Sequence, residues 1–134
     1  MNKYITITLI LFLVISCKNV KSIFDNQSDL SVESNNLRIS NGKSMIFFTS
    51  GFYNNEVKVI ANDKVVYIKN LTTVEQIGLA GSCIVKNTDI IMVKINKDKI
   101  VLKSKKISQY KFIYIQHYKN RYTVNYTNVS KSFR

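Results

Sequence analysis

The chain has no proline and no tryptophan, and only four glycines, two cysteines and one histidine among its 134 residues. Two cysteines and one histidine cannot build a zinc cluster or a disulfide framework. A single histidine also leaves little for general acid–base chemistry, so no metal, no cofactor and no enzymatic activity are expected. Acidic residues are scarce as well: eight Asp and Glu stand against twenty Lys and Arg, a formal net charge of +12. Glu56, Asp63, Glu75, Asp89 and Asp98 fall in different strands and turns, several where Asp serves a turn, and no Gly-rich phosphate loop occurs. What is present is one domain's length of chain, 46% hydrophobic and 21% charged, a globular composition rather than a disordered one.

The amino terminus carries the most specific signal. A short head with one positive charge, Lys3, precedes an uncharged run over residues 5–15 that closes on Ser16 and Cys17. Eleven residues are too few for a bilayer that needs about 20, whereas a charged head, a short apolar stretch and a small residue make a secretory signal peptide. The closing tetrad Val14-Ile15-Ser16-Cys17 resembles the lipobox of bacterial lipoproteins. That resemblance covers the first 17 residues only. It implies a signal peptide over 1–16, cleavage before Cys17 and acylation of Cys17, which then anchors the chain in a membrane; two or three acyl chains hold a protein there stably. With Lys18 and Asn19 behind the Cys and no Asp, the resemblance implies an outer-membrane anchor, on the periplasmic face.

Residues 17–36 read as the lipidated Cys and a flexible tether, because they are polar and show no helix or strand period. From 37 to 134 the pattern becomes short β-branched and aromatic runs broken by Asn, Asp and Gly. Strands are expected at 44–49, 56–61, 64–69, 90–95, 99–103, 110–117 and 122–127, with weaker ones at 72–77 and 82–86. Hairpin turns are expected at Asn62-Asp63, Lys97-Asp98 and Lys119-Asn120. They would pair Val57 with Ile68 and Val59 with Val66, Ile95 with Ile100 and Val93 with Leu102, and Ile115 with Val124 and Ile113 with Tyr126. No window of 11 residues carries a helical period. The predicted fold is all-β, a small antiparallel β-sandwich of seven to nine short strands.

The charge is uneven: no acid follows Asp98, but nine bases do. Such a surface attracts polyanions with a salt-dependent strength. Seventeen of the twenty bases are Lys, beside 15 Asn and 18 Ile, a bias that AT-rich codons also produce. In the last hairpin, one face would carry Tyr110, Phe112, Tyr114 and Gln116 beside Thr123, Asn125 and Thr127, flanked by Lys105, Lys106, Lys111 and Arg121. That face is the candidate ligand surface, with rings to stack and cations to attract, unless a neighbouring segment covers it. Cys83, once Cys17 is lipidated the only thiol, opens an apolar strand and is expected to be a buried, inert core residue; His117 is expected at the solvent edge of its hairpin.

The reading is a lipid-anchored envelope protein with a non-catalytic binding or structural role. Its partners would be the membrane and an envelope protein or anionic glycan, with no nucleic acid for an exported chain. An inhibitor or immunity lipoprotein that blocks an envelope-attacking enzyme is the alternative, and a Cys-dependent hydrolase using Cys83 and His117 is the third.

Overall fold

The computed structural model describes residues 19–25, 39–102 and 104–133. The signal peptide, Cys17 and residues 26–36 of the expected tether lie outside them. The described strands are β1 (Asn19–Phe24), β2 (Lys43–Phe48), β3 (Asn55–Ala61), β4 (Lys64–Leu71), β5 (Gly81–Lys86), β6 (Ile91–Ile95), β7 (Asp98–Val101), β8 (Phe112–Tyr118) and β9 (Arg121–Thr127). A single helical turn, α1 (Ser104–Ile107), bridges β7 and β8. The strands form a five-stranded sheet, order β1-β9-β8-β2-β5, and a four-stranded sheet, order β4-β3-β6-β7. The fold is the all-β sandwich that the strand pattern predicts, with two parallel pairings inside it, β1 with β9 and β2 with β8.

Alternation builds the core. Val57, Val59 and Ala61 of β3 and Ile91, Val93 and Ile95 of β6 face Ile46 and Phe48 of β2 and Ile113, Ile115, Tyr122, Val124 and Tyr126 of β8 and β9. Their neighbours in sequence point outward, as a period of two requires. β2 and β8 depart from that rule: Phe47, Phe112 and Tyr114, on their outer side, are buried as well.

Four local expectations are corrected. Residues 19–24, expected in the tether, form β1, an edge strand in register with β9 from Asn19↔Arg121 to Phe24↔Tyr126. Phe24 anchors it, stacked on Tyr126 at 4.8 Å between ring centroids, with the Lys106 ammonium 5.4 Å from its own ring centre. In the first hairpin, Asn62 and Asp63 both take positive φ and make the two-residue turn, but a bulge at Val59/Ile60 shifts the pairing to Val59↔Tyr67 and Val57↔Lys69. A slip of one residue exchanges faces, so Tyr67 turns inward onto Phe48 while Val66 and Ile68 are exposed. In the second hairpin the turn is Asn96-Lys97, giving Ile95↔Asp98 and Val93↔Ile100. Asn96 has the left-handed φ, and its side-chain oxygen accepts the Glu56 amide at 2.9 Å. Residues 72–77 are not a strand but lead into a tight turn closed by a Val74↔Leu79 bridge, with Gly78 at φ +66°. The third hairpin has the predicted register, Ile115↔Val124 and Ile113↔Tyr126.

Because Phe24 is half-buried between Tyr126 and Tyr110, Phe24→Ala should cost about 2 kcal/mol, below the cost of a fully buried Phe. The same change should remove the amide protection of residues 19–25 in hydrogen exchange. Unchanged protection there would mean that β1 is not held by its ring.

Candidate functional site

The outer face of the five-stranded sheet is divided in two. Registers across it place Phe47 beside Tyr114, Tyr114 beside Asn125, and Asn125 beside Ile23. One row further along, Gln116 lies beside Thr123 and Thr123 beside Lys21. The first half is apolar and covered: Ile39, Phe47, Phe112 and Tyr114 form a second small core, packed by Met45, Leu79 and Phe133. The second half is polar and open.

Residues of the carboxy-terminal segment make the boundary between the two halves. Phe133 sits 5.2 Å from Phe47 and 6.1 Å from Tyr114, ring centre to ring centre. The Lys131 amide donates to the Tyr114 hydroxyl oxygen at 2.7 Å, and the Lys131 ammonium lies 4.7 Å over the same ring. Burial pushes the Tyr114 phenol above its ordinary range, with the Lys131 amide pulling the other way. The phenol is therefore neutral at pH 7. Since its oxygen accepts from Lys131, its own O–H is left as a donor at the rim.

Beside this strap lies a groove of about 290 Å³, walled by Lys131–Phe133 and by the turn at Ile77-Gly78, with Gln116, Thr123 and Asn125 on its floor. The Asn125 side-chain oxygen is buried and accepts no hydrogen bond from the described residues. An acceptor left in that state costs about 1–3 kcal/mol, which a donor on a ligand would restore once the half-buried carboxamide rotates to present its oxygen to the groove. The groove thus offers a phenol and two amides for hydroxyl groups, an aromatic wall, and the ammonium of Lys131 for an anion.

The residues picked out in the sequence are dispersed. Tyr110 faces the main core, 4% exposed, 6.0 Å from Phe24 and from Tyr126. Phe112 and Tyr114 lie on the outer face but under Ile39, Leu79 and Phe133, so the three rings are not an open stripe. Lys105, Lys106 and Lys111 are exposed at the end of the sandwich where β8 begins. Arg121 is exposed at the opposite hairpin, about 20 Å away at ~3.3 Å per strand residue. The basic residues therefore do not form one patch. Gln116, Thr123 and Asn125 do come together as their alternation requires, whereas Lys131, Phe133 and the 74–79 turn carried no pattern that would have marked them.

The Cys/His pair is also separated. Cys83 lies in the row of Ile46 and Ile113, and His117 is four residues further along β8 and two strands across. With ~3.3 Å per residue and ~4.8 Å per strand spacing, the gap is about 16 Å, far beyond proton-transfer range. Cys83, expected to be fully buried, is half-buried against the main core because it sits on the edge strand β5, and that burial still pushes its thiol up to about 12. His117 faces inward rather than to the solvent edge: it lies flat on Tyr122 at 4.5 Å, and both ring nitrogens are buried without a hydrogen-bond partner among the described residues. The inward turn follows from parity, since His117 shares its side of β8 with Ile113 and Ile115 and is paired to Tyr122. The Tyr122 hydroxyl donates instead to the Asp98 carboxylate of the other sheet at 2.7 Å. Burial and that carboxylate hold the Tyr122 phenol well above its usual range. Among the described residues no three His, Cys, Asp or Glu side chains gather as a metal site. No family model, curated protein or solved structure matches this chain.

Proposed function

We propose that the protein is a lipid-anchored envelope protein whose β-sandwich binds a ligand without transforming it, and that the groove over Gln116, Thr123 and Asn125 receives an anionic glycan. The observation that carries this reading is the buried, unpartnered Asn125 oxygen on the floor of an open groove whose rim holds a ring and an ammonium. Sugar hydroxyls supply the missing donor, a ring face suits a sugar face, and Lys131 selects for a carboxylate or sulfate. The lipobox-like tetrad ending at Cys17 supports the anchor, on the periplasmic face of an outer membrane.

Two measurements test the two parts. Fatty-acid labelling in cells should mark the wild type and not Cys17→Ala, which should move to the soluble fraction; equal labelling of both would remove the anchor. Calorimetric titration with an oligogalacturonate should show Asn125→Ala binding about tenfold more weakly, the worth of one hydrogen bond in a partly buried site. Lys105→Glu/Lys106→Glu should change only a salt-sensitive fraction of the affinity. If the double substitution abolishes binding and Asn125→Ala does not, the basic end of the sandwich, not the groove, holds the glycan.

A further inference from the structure

A second opening lies at the other edge of the sandwich, where β5 ends the five-stranded sheet and the β3–β4 hairpin ends the four-stranded one. The sheets part there around a cleft of about 640 Å³. Its base is apolar, with Ala61 and Val85 buried. Its sides carry Val66 and Ile84, which are 53% and 55% exposed although both are aliphatic. Val66 is there because of the bulge: without it, the residue would face the core opposite Val59.

Three ammonium groups border the same cleft, those of Lys43, Lys64 and Lys86, against one carboxylate, that of Asp89. Lys43 and Lys86 are direct cross-strand partners at the end of the β2–β5 ladder. Like charges placed opposite one another on antiparallel strands destabilise the sheet. Among the described residues none of the three lysines is in ion-pair contact with a carboxylate. An uncompensated pair of cations above two exposed aliphatic side chains is matched in both respects by one kind of molecule.

We infer that this edge cleft is a binding site, separate from the groove, for a single-chain anionic amphiphile: an acyl chain laid on Val66, Ile84 and Val85, with its carboxylate or phosphate between Lys43, Lys86 and Lys64. The two headgroups share the chemistry the lysines require, and a direct comparison separates them.

The test titrates the protein, below the micelle-forming concentration of each probe, with dodecanoate, dodecyl phosphate, dodecanol and inorganic phosphate. One or both of the first two should bind, and the tighter of them names the headgroup. Dodecanol, which lacks the charge, and inorganic phosphate, which lacks the chain, should each bind at least about tenfold more weakly. Lys43→Gln and Lys86→Gln should weaken amphiphile binding by a similar factor while raising the melting temperature of the ligand-free protein, since each relieves the like-charge pair. Val66→Asn should weaken it through the chain. Asn125→Ala, in the groove, should leave amphiphile binding unchanged, which keeps the two sites distinguishable. Dodecanol binding as tightly as dodecanoate, affinity unaffected by both lysine substitutions, or no binding of either anionic amphiphile would overturn the inference.

Discussion

Gly51→Ala should lower the urea midpoint of the protein by a large fraction. Gly51 has φ +88°, where an L-residue is already penalised by about 1–2 kcal/mol, and a Cβ built on it would lie 1.5 Å from the carbonyl oxygen of His117 and 2.6 Å from its carbonyl carbon. Both atoms are backbone, so no flexible side chain can swing aside. Relief requires the 49–52 loop to lift from the end of β8. That would break the bond from the His117 amide to the Ser50 carbonyl (3.0 Å) and loosen the one from the Thr49 amide to Ile115 (2.9 Å). It would also pull Phe52 from its edge-on contact with Phe48. Together these exceed about 3 kcal/mol, a large share of the roughly 5–15 kcal/mol that holds a domain folded. Gly42→Ala is the matched control: its φ is +80°, yet nothing lies within 4 Å of the added carbon, so it should cost only the conformational part, about 1 kcal/mol. Urea midpoints of the two variants decide the matter. Equal, small shifts in both would mean that the loop is not packed on His117 as described.

The thiol of Cys83 should react about a thousandfold more slowly in the folded protein than in denaturant at pH 8. Its pKa is pushed up from 9.0 to about 12 by burial, so the thiolate fraction falls by three powers of ten, and the thiolate is the reactive form. The same shift makes a statement about stability. The unfolded chain releases this proton from about pH 9 upward while the folded chain keeps it, so the contribution is intact below pH 9 and is lost as pH rises towards 12. Tyr67, Tyr114 and Tyr122 are shifted in the same direction. The urea midpoint should therefore be flat, as far as these groups decide it, up to about pH 9 and fall beyond it, and Cys83→Ala should flatten the first part of that fall. Rapid native labelling at pH 8 would contradict the burial and reopen a reactive role for the thiol.

Strand existence was legible in the sequence because alternation over β3, β6 and β9 survives in the burial of each strand. Register was less so. The Lys119-Asn120 hairpin could be aligned because apolar residues face each other on both sides without interruption. The hairpin at Asn62-Asp63 could not, since the extra residue at Val66 is decided by Tyr67 finding Phe48, a contact made across the two sheets. Asn96, Lys97 and Asp98 are all acceptable turn residues, and only the capture of the Glu56 amide by Asn96 chooses between them. β1 escaped because its residues alternate no hydrophobicity: Ile23 lies outward beside Asn125, while Ser22 shares the inward side with Phe24.

The candidate site shows the same division. Gln116, Thr123 and Asn125 share a face by parity alone. Tyr110 was assigned to that face with Phe112 and Tyr114, but it lies ahead of β8. There the buried Ser44 hydroxyl, 2.6 Å from the Tyr110 carbonyl, holds the chain in a different course and sends the ring inward. What covers Phe112 and Tyr114 comes from three places distant in sequence, Ile39, Leu79 and Phe133, and no local pattern announces such a cover. Basic residues close in sequence, Lys111 and Arg121, are held apart by the full length of the strand between them.

The central claim is that ligand recognition belongs to the groove and not to the surface charge. Its most direct test follows the backbone amide resonances of the protein during titration with an oligogalacturonate at about 0.15 M salt, where exposed charges are screened beyond roughly 8 Å. The largest shifts should fall on Gln116, Thr123, Asn125 and Lys131, and Asn125→Ala should suppress them. Shifts confined to Lys105, Lys106 and Lys111, or scattered over the lysines and lost on adding salt, would contradict it.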